Sequence, residues 1–306
     1  MSSIPSIKLN TGASIPAIGL GGFTPDPNIA GAEKWFLTAF QAGYRHIDTA
    51  QVYRTEPYVG AAVRGSGLPR GDVFVTTKLP WHHTKDVARS FDDSLHNLGL
   101  DYVDLYLMHF PQSVEYPRGY DGPVDFEELL TKLNVLDTPT FNETWAEMEK
   151  LPTSRARAIG VSNFSIKTLE QLLKTAKVVP AVNQVEMHPY LAQTELLEYC
   201  RKKGIAVTAY SPSGYEKVRS DPTIVALAAK YGVSPTQIIL AWHVARGVSA
   251  VPKSADPERQ KENVNLPALS AEDIASVTAL DRNERIVNKL GPDGKLHGWT
   301  AEQYGW

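Results

Sequence analysis

Four polar residues stand at or just beyond the ends of successive apolar runs: Asp48 and Tyr53 after YRHIDTA, Lys78 near the end of VFVTTKL, and His109 near the end of YVDLYLMHF. Together they would suit proton transfer to oxygen. A lysine beside a phenol stabilises the phenolate and is expected to lower the tyrosine pKa. A carboxylate beside that lysine keeps it charged and oriented. A histidine near the phenol orients a carbonyl or relays a proton. The set would let Tyr53 give a proton to a developing alkoxide. Each residue alone has a plainer reading: packing for the tyrosine, a solvated end for the lysine, a satisfied core group for His109, a helix cap for Asp48. The specificity lies in the combination.

The elements that must carry these residues alternate short β-rich runs with helical patterns, the signature of a parallel sheet with crossover helices. Eight strands are expected, at 15–21, 44–50, 73–79, 102–110, 156–164, 181–188, 205–212 and 248–254. Helical patterns separate them, starting at 29, 55, 86, 142, 165, 194, 221 and 234, with Asp86, Ser165, Asp221 and Ser234 as caps and Gly43, Gly99, Gly204, Gly232 and Gly247 as stops. A hairpin turning at Asn10-Thr11-Gly12 precedes them. Eight strand–helix units imply a single (β/α)8 barrel over 1–306, closed below by the hairpin; an open doubly wound sheet is the alternative. Segments 111–140 and 283–306 read as long loops, and loops of that length are usually functional.

Further strand-end residues extend the pattern: Ser162-Asn163, Gln184, Tyr210-Ser211 and Lys253-Ser254. Lys253 and Arg259 are cations flanking a helix start near Asp256-Pro257, where a helix N-terminus favours phosphate; a solvated basic pair is the plainer reading.

Composition excludes several classes. A net charge of -3 gives no overall basic character for nucleic-acid binding. The single cysteine, Cys200, cannot form an internal disulfide, consistent with a reducing compartment. The N-terminus lacks a signal-peptide pattern and no apolar run reaches membrane-spanning length, so a cytoplasmic protein is expected. The sequons at Asn142 and Asn163 read as chance matches. No G-x-G-x-x-G, Walker or G-x-S-x-G string is in place, and the histidines lack ligand spacing, so no metal is expected. His82-His83 reads as a surface pair whose side chains do not share a face.

The segments GYRHIDTAQVY, TKLPWHHTKDV, LGLDYVDLYLMHFP, ARAIGVSNF, VNQVEMHPY, TAYSP and VPKSADPERQKENV make the whole chain resemble the aldo-keto reductase family. HGWTAEQYGW is similar to fungal members acting on glyceraldehyde, glycerol or sugar-derived carbonyls. The resemblance implies a (β/α)8 enzyme that reduces aldehydes, with ketones or sugar carbonyls as further substrates. Asp48, Tyr53, Lys78 and His109 would form its catalytic set. It implies exchangeable NADP(H), with NADH as the weaker alternative. Ser162, Asn163 and Gln184 would bind the carboxamide, with Tyr210 stacking on the ring. Ser211, Pro212 and Ser213 would hold the pyrophosphate, with Gly22, Phe23 and Asp48 also lining the cofactor site. Lys253, Ser254 and Arg259 would bind the 2′-phosphate, with Glu262 and Asn263 near the adenine. Phe23, Trp81, His109 and Phe110 would line the substrate pocket.

The chain departs from the family pattern in ways that bear on specificity. Gly22-Phe23 replaces Thr-Trp, Phe110 replaces a tryptophan, and Trp81 comes one position late. Thr24 replaces a lysine and Ser213 a leucine, and the loop to Asp221 is short, so a weaker clasp and faster cofactor release are expected. Asp256 replaces a neutral residue and would relax the NADP preference. The partner is a small carbonyl compound, with neither nucleic acid nor membrane, and the assembly a monomer or weak homodimer. The rival readings are an oxidative polyol dehydrogenase and a non-catalytic NADP-sensing subunit.

Overall fold

The computed structural model describes residues 4–24, 31–115 and 133–306. Part of the expected 111–140 loop and the start of the helical pattern at 29 lie outside the described residues. Strands β1 (Ser6–Lys8) and β2 (Ser14–Pro16) form the hairpin. Eight parallel strands follow: β3 (Leu20–Gly21), β4 (His46–Asp48), β5 (Phe74–Leu79), β6 (Leu105–Met108), then, after β7 (Ser113–Glu115) and β8 (Asn134–Leu136), β9 (Ile159–Ser162), β10 (Val182–Glu186), β11 (Ala206–Tyr210) and β12 (Ser249–Ala250). Bonds from Gly19 N to Ala250 O and from Gly21 N to Pro252 O, both 2.9 Å, close the eighth strand onto the first. A Cβ on Gly21 would meet Val251 O at 2.8 Å, so this seam needs a residue without a side chain. The closed barrel is therefore the arrangement, and the open sheet is not.

All eight strands are shorter than the expected runs; β3 and β12, two residues each, are the shortest, and the run of each holds a proline. Pro16 ends the hairpin strand within the 15–21 run, and Pro252 follows β12, so Lys253 and Ser254 lie in the loop beyond it. The helices fall where the apolar spacing puts them: α1 (Ala32–Ala42), α2 (Glu56–Gly65), α3 (Val87–Leu98), α4 (Phe141–Met148), α5 (Ile166–Leu172), α6 (Thr194–Lys202), then α7 (Tyr215–Arg219), α8 (Pro222–Tyr231) and α9 (Pro235–Ala245). Asp86, Ser165, Asp221 and Ser234 all cap as read. Helix α9 shows why caps and burial cooperate. Ser234 and Gln237 exchange capping bonds and Pro235 starts the first turn, while Ile238, Ile239 and Trp242 are fully buried. Truncating Trp242 would cost about 3–5 kcal/mol.

Three segments expected to be loops carry structure. The described flanks of 111–140 form the antiparallel ribbon β7–β8. The stretch 213–221 contains α7. After α10 (Pro257–Val264) and α11 (Ala271–Thr278), the C-terminal segment folds into a small hairpin, β13 (Lys295–Leu296) and β14 (Trp299–Thr300), and the short helix α12 (Ala301–Tyr304). Polar loop composition hid these elements, which are only two to five residues long.

Strand alternation sorts the barrel into an inner and an outer face. Leu105 and Leu107 of β6 cluster with Phe74, Val182 and the hairpin residues Leu9 and Ile15. Their neighbours Tyr106 and Met108 join the layer that packs under the helices. The hairpin thus plugs one end of the barrel with apolar side chains, as expected. The same period carries polar residues inward toward the other end: Asp48 on β4, Thr76 and Lys78 on β5, Gln184 and Glu186 on β10.

Candidate active site

At the carboxyl ends of the strands, Lys78 and Asp48 meet. The lysine ammonium lies 2.6 Å from Asp48 Oδ1 and 2.8 Å from Thr49 O, and both side chains are buried. Asp48 Oδ2 accepts from Gln184 Nε2 at 2.7 Å. Tyr53 sits in a single 3₁₀ turn, Gln51–Tyr53, that follows β4. Its hydroxyl is 3.4 Å from His109 Nε2, and Lys78 Nζ is 4.9 Å from its ring centroid. All four residues singled out by their spacing are therefore neighbours.

The electrostatics differ from expectation at one point. Desolvation raises the Tyr53 phenol well above its ordinary value, and the charge of Asp48 acts in the same direction. The expected lowering by Lys78 is absent because Asp48 neutralises that ammonium at contact distance. Burial also pulls the Lys78 pKa down, against the pull of Asp48. Tyr53 is therefore a protonated phenol near neutral pH. Burial pushes His109 well below its ordinary value, and Lys78 and His297 add to this, so its imidazole is neutral.

Ser162, Asn163 and Tyr210 form a second group. Asn163, with φ 65 in the left-handed region that asparagine tolerates, turns its side chain back across the strand end. Its Nδ2 donates to His109 O at 2.9 Å, and its Oδ1 accepts from Tyr210 Oη at 2.7 Å. Ser162 Oγ donates to Gln184 O at 2.8 Å. Ser211 and Ser213 are half-buried on either side of buried Pro212, whose carbonyl pairs with His243 Nε2.

The basic end is less regular. Lys253 and Arg259 are exposed at the mouth of α10, with Lys253 Nζ 5.4 Å from the Trp35 ring centroid. Asp256 caps α10, accepting from Glu258 N at 2.9 Å and Arg259 N at 3.0 Å, so its own carboxylate uses amides a phosphate would want. Ser254 Oγ is within 3.2 Å of Asp256 N and O. Glu262 is exposed; Asn263 is buried beside Tyr44.

The aromatic residues also converge. Phe23 meets the Tyr53 ring edge-on at 5.2 Å, and Gly22 donates its amide to Asp48 O at 2.7 Å. Trp81 packs edge-on to His109 at 5.3 Å and to Phe110 at 5.2 Å. Sequence reasoning missed what completes this wall. His297 stacks on Trp81 with centroids 5.4 Å apart, and Tyr304, in the same buried cluster as Trp81 and Phe110, accepts from Gln112 Nε2 at 2.6 Å. The aromatic density of HGWTAEQYGW was the available signal.

The His82-His83 reading needs correction. Both are half-buried in a turn, with rings 4.1 Å apart, and burial lowers the His82 pKa to about 3. A turn obeys neither strand nor helix periodicity, so the two rings can meet. Among the described residues no three His, Cys, Asp or Glu side chains are grouped to hold a metal ion. Among them too, no single helix is long and apolar enough to cross a membrane.

Comparison with known proteins adds an independent line. The sequence model of the Aldo/keto reductase family matches residues 17–282. Glycerol 2-dehydrogenase (NADP(+)) of Saccharomyces cerevisiae is 45% identical, covering 91% of both chains. Aldehyde reductase YPR1 of the same yeast is 42% identical over 94% of this chain and 95% of its own. Human aldo-keto reductase family 1 member A1 is 39% identical over 94% and 93%.

Proposed function

The chain belongs to the aldo/keto reductase family, and on that premise we propose that it reduces aldehydes to alcohols with NADPH, Tyr53 supplying the proton. The observation that carries this reading is the meeting of Tyr53, His109, Lys78 and Asp48 at one end of the barrel.

The residues suit a nicotinamide cofactor by their donor set. Ser162, Asn163 and Gln184 present amide and hydroxyl groups of the kind that pair with a carboxamide, and the Tyr210 ring stands beside them. Lys253 and Arg259 are exposed cations of the kind a 2′-phosphate requires. NADP is therefore the assigned cofactor, with NADH the weaker alternative. When bound, it supplies the hydride.

The chain's own groups do the rest. Tyr53 holds its proton until negative charge develops on the carbonyl oxygen. Neutral His109 Nε2, near the phenol, orients that oxygen as a hydrogen-bond partner. Lys78, held in place by Asp48, keeps its N–H groups beside the phenol as the proton leaves, acting as one end of a paired dipole and not as a net positive charge. The aromatic wall of Phe23, Trp81, Phe110 and His297 excludes water and takes the apolar face of the substrate.

A second reading is oxidation of a polyol, favoured by the glycerol dehydrogenase among the relatives. The same groups serve both directions. The test is the near-ultraviolet absorbance of NADPH: its loss with DL-glyceraldehyde against its gain with NADP and glycerol. No turnover with any carbonyl, nor with NADP and glycerol, would sink the enzymatic reading and leave an NADP-sensing subunit.

A further inference from the structure

Glu186, the last residue of β10, is fully buried and does not belong to the proton-transfer set. Its Oε1 accepts from Ile286 N at 2.6 Å, Val287 N at 3.0 Å and His188 Nε2 at 3.1 Å, and its Oε2 accepts from Asn288 N at 3.2 Å. Burial alone would raise this carboxyl; His188 and the three backbone amides outweigh it and hold the group below its ordinary value. A buried carboxylate persists only when its oxygens are satisfied in this way. The segment it grips is not held by apolar burial throughout, since Val287 and Leu290 are exposed. Further ties run from Lys217 on α7 to Glu284 and from Arg282 to Asp221 at 3.5 Å.

The grip delivers one side chain. Asn288 Nδ2 donates to Tyr210 Oη and lies 3.4 Å from Asn163 Oδ1. The Tyr210 hydroxyl accepts a hydrogen bond from Asn288 and donates its own to Asn163 Oδ1, 2.7 Å away. Asn163 then presents Oδ1 to Tyr210 and Nδ2 to His109 O. A chain of hydrogen bonds thus runs from the C-terminal segment to the backbone of the residue facing Tyr53.

We propose that Asn288 is a positioning residue for the nicotinamide half of the cofactor site, and that Glu186 acts through it by pinning the 286–288 backbone. Asn288 sets which way the Asn163 amide faces and fixes the Tyr210 ring; neither Asn288 nor Glu186 needs to touch the reacting atoms. The proposal rests on the cofactor reading above.

The test compares dissociation constants, by protein fluorescence, for NADPH and for 2′-phospho-ADP-ribose, which lacks the nicotinamide. Asn288→Ala should weaken NADPH about fivefold to tenfold, the worth of one neutral hydrogen bond, and leave 2′-phospho-ADP-ribose unchanged. Glu186→Gln should do the same where it folds; Asn288→Ala, at a half-buried position, decides alone where it does not. Unchanged or tighter NADPH binding by Asn288→Ala, or equal weakening of both ligands, overturns the proposal. Wild-type protein that binds 2′-phospho-ADP-ribose as tightly as NADPH overturns it too, while wild type that binds neither ligand overturns the cofactor reading itself.

Discussion

Lys78 Nζ lies 2.6 Å from Asp48 Oδ1 with both groups inside the barrel, so the charge that would acidify Tyr53 is already neutralised by its partner. Breaking such a buried pair from one side costs about 3–5 kcal/mol, because a lone charge remains in a poorly solvated site. Lys78→Met should therefore lower unfolding stability by that amount in urea titrations. The double variant Lys78→Met/Asp48→Leu should recover much of the loss. Strict additivity of Lys78→Met and Asp48→Leu would show that the two charges do not depend on each other.

Tyr53→Phe removes the proposed proton donor and leaves the ring packing against Phe23 and His109. Turnover should fall about 10²–10⁴-fold, the range of general acid catalysis, with the NADPH dissociation constant little changed. A variant with near wild-type turnover would remove Tyr53 from the mechanism.

The protein should lose stability on mild acidification. Burial lowers His46 and His297 to about 4 and His243 to about 3. Their folded pKa values lie below the unfolded one, so the unfolded chain binds more protons as pH falls below about 6.5. Their contribution is complete above that pH and is lost as pH falls toward the folded values. Each such proton is worth about 1.4 kcal/mol per pH unit. Glu56, raised by burial, works the opposite way but can offset only one proton. Urea midpoints at about pH 7, 6 and 5 should fall steadily; a flat series would contradict the burial of these imidazoles.

Asp256→Ser should sharpen the choice of cofactor. Serine keeps the α10 cap but removes the carboxylate beside Arg259. Removing one like charge near a phosphate is worth about 1 kcal/mol, about fivefold. The ratio of kcat/KM for NADPH over NADH should rise by that factor. A ratio that stays put would show that the capping carboxylate does not face the 2′-phosphate.

Much of the molecule is legible along the chain. The eight strands fall within the apolar runs, and the four caps follow from Asp or Ser at helix starts. Asp48, Lys78 and His109 lie at or just beyond ends of consecutive parallel strands, which a closed barrel must bring to one mouth. Phe23, Trp81 and Phe110 come with them. The fringes were less legible: short elements such as α7 and β13 rest on a few tertiary contacts rather than on a long periodic signal.

The sequence by itself determined the eight strand–helix units and the convergence of Asp48, Tyr53, Lys78 and His109, because both depend on local periodicity and on residues placed at strand ends; the aromatic residues beside them followed from the family resemblance. Only the tertiary structure decided the upward shift of Tyr53, which comes from desolvation and from Lys78 being paired. It alone placed His297 on Trp81 and Asn288 on Tyr210. Glu186 and the amides it holds are about 100 positions apart, and no pattern in a window of sequence reports a contact made across that span.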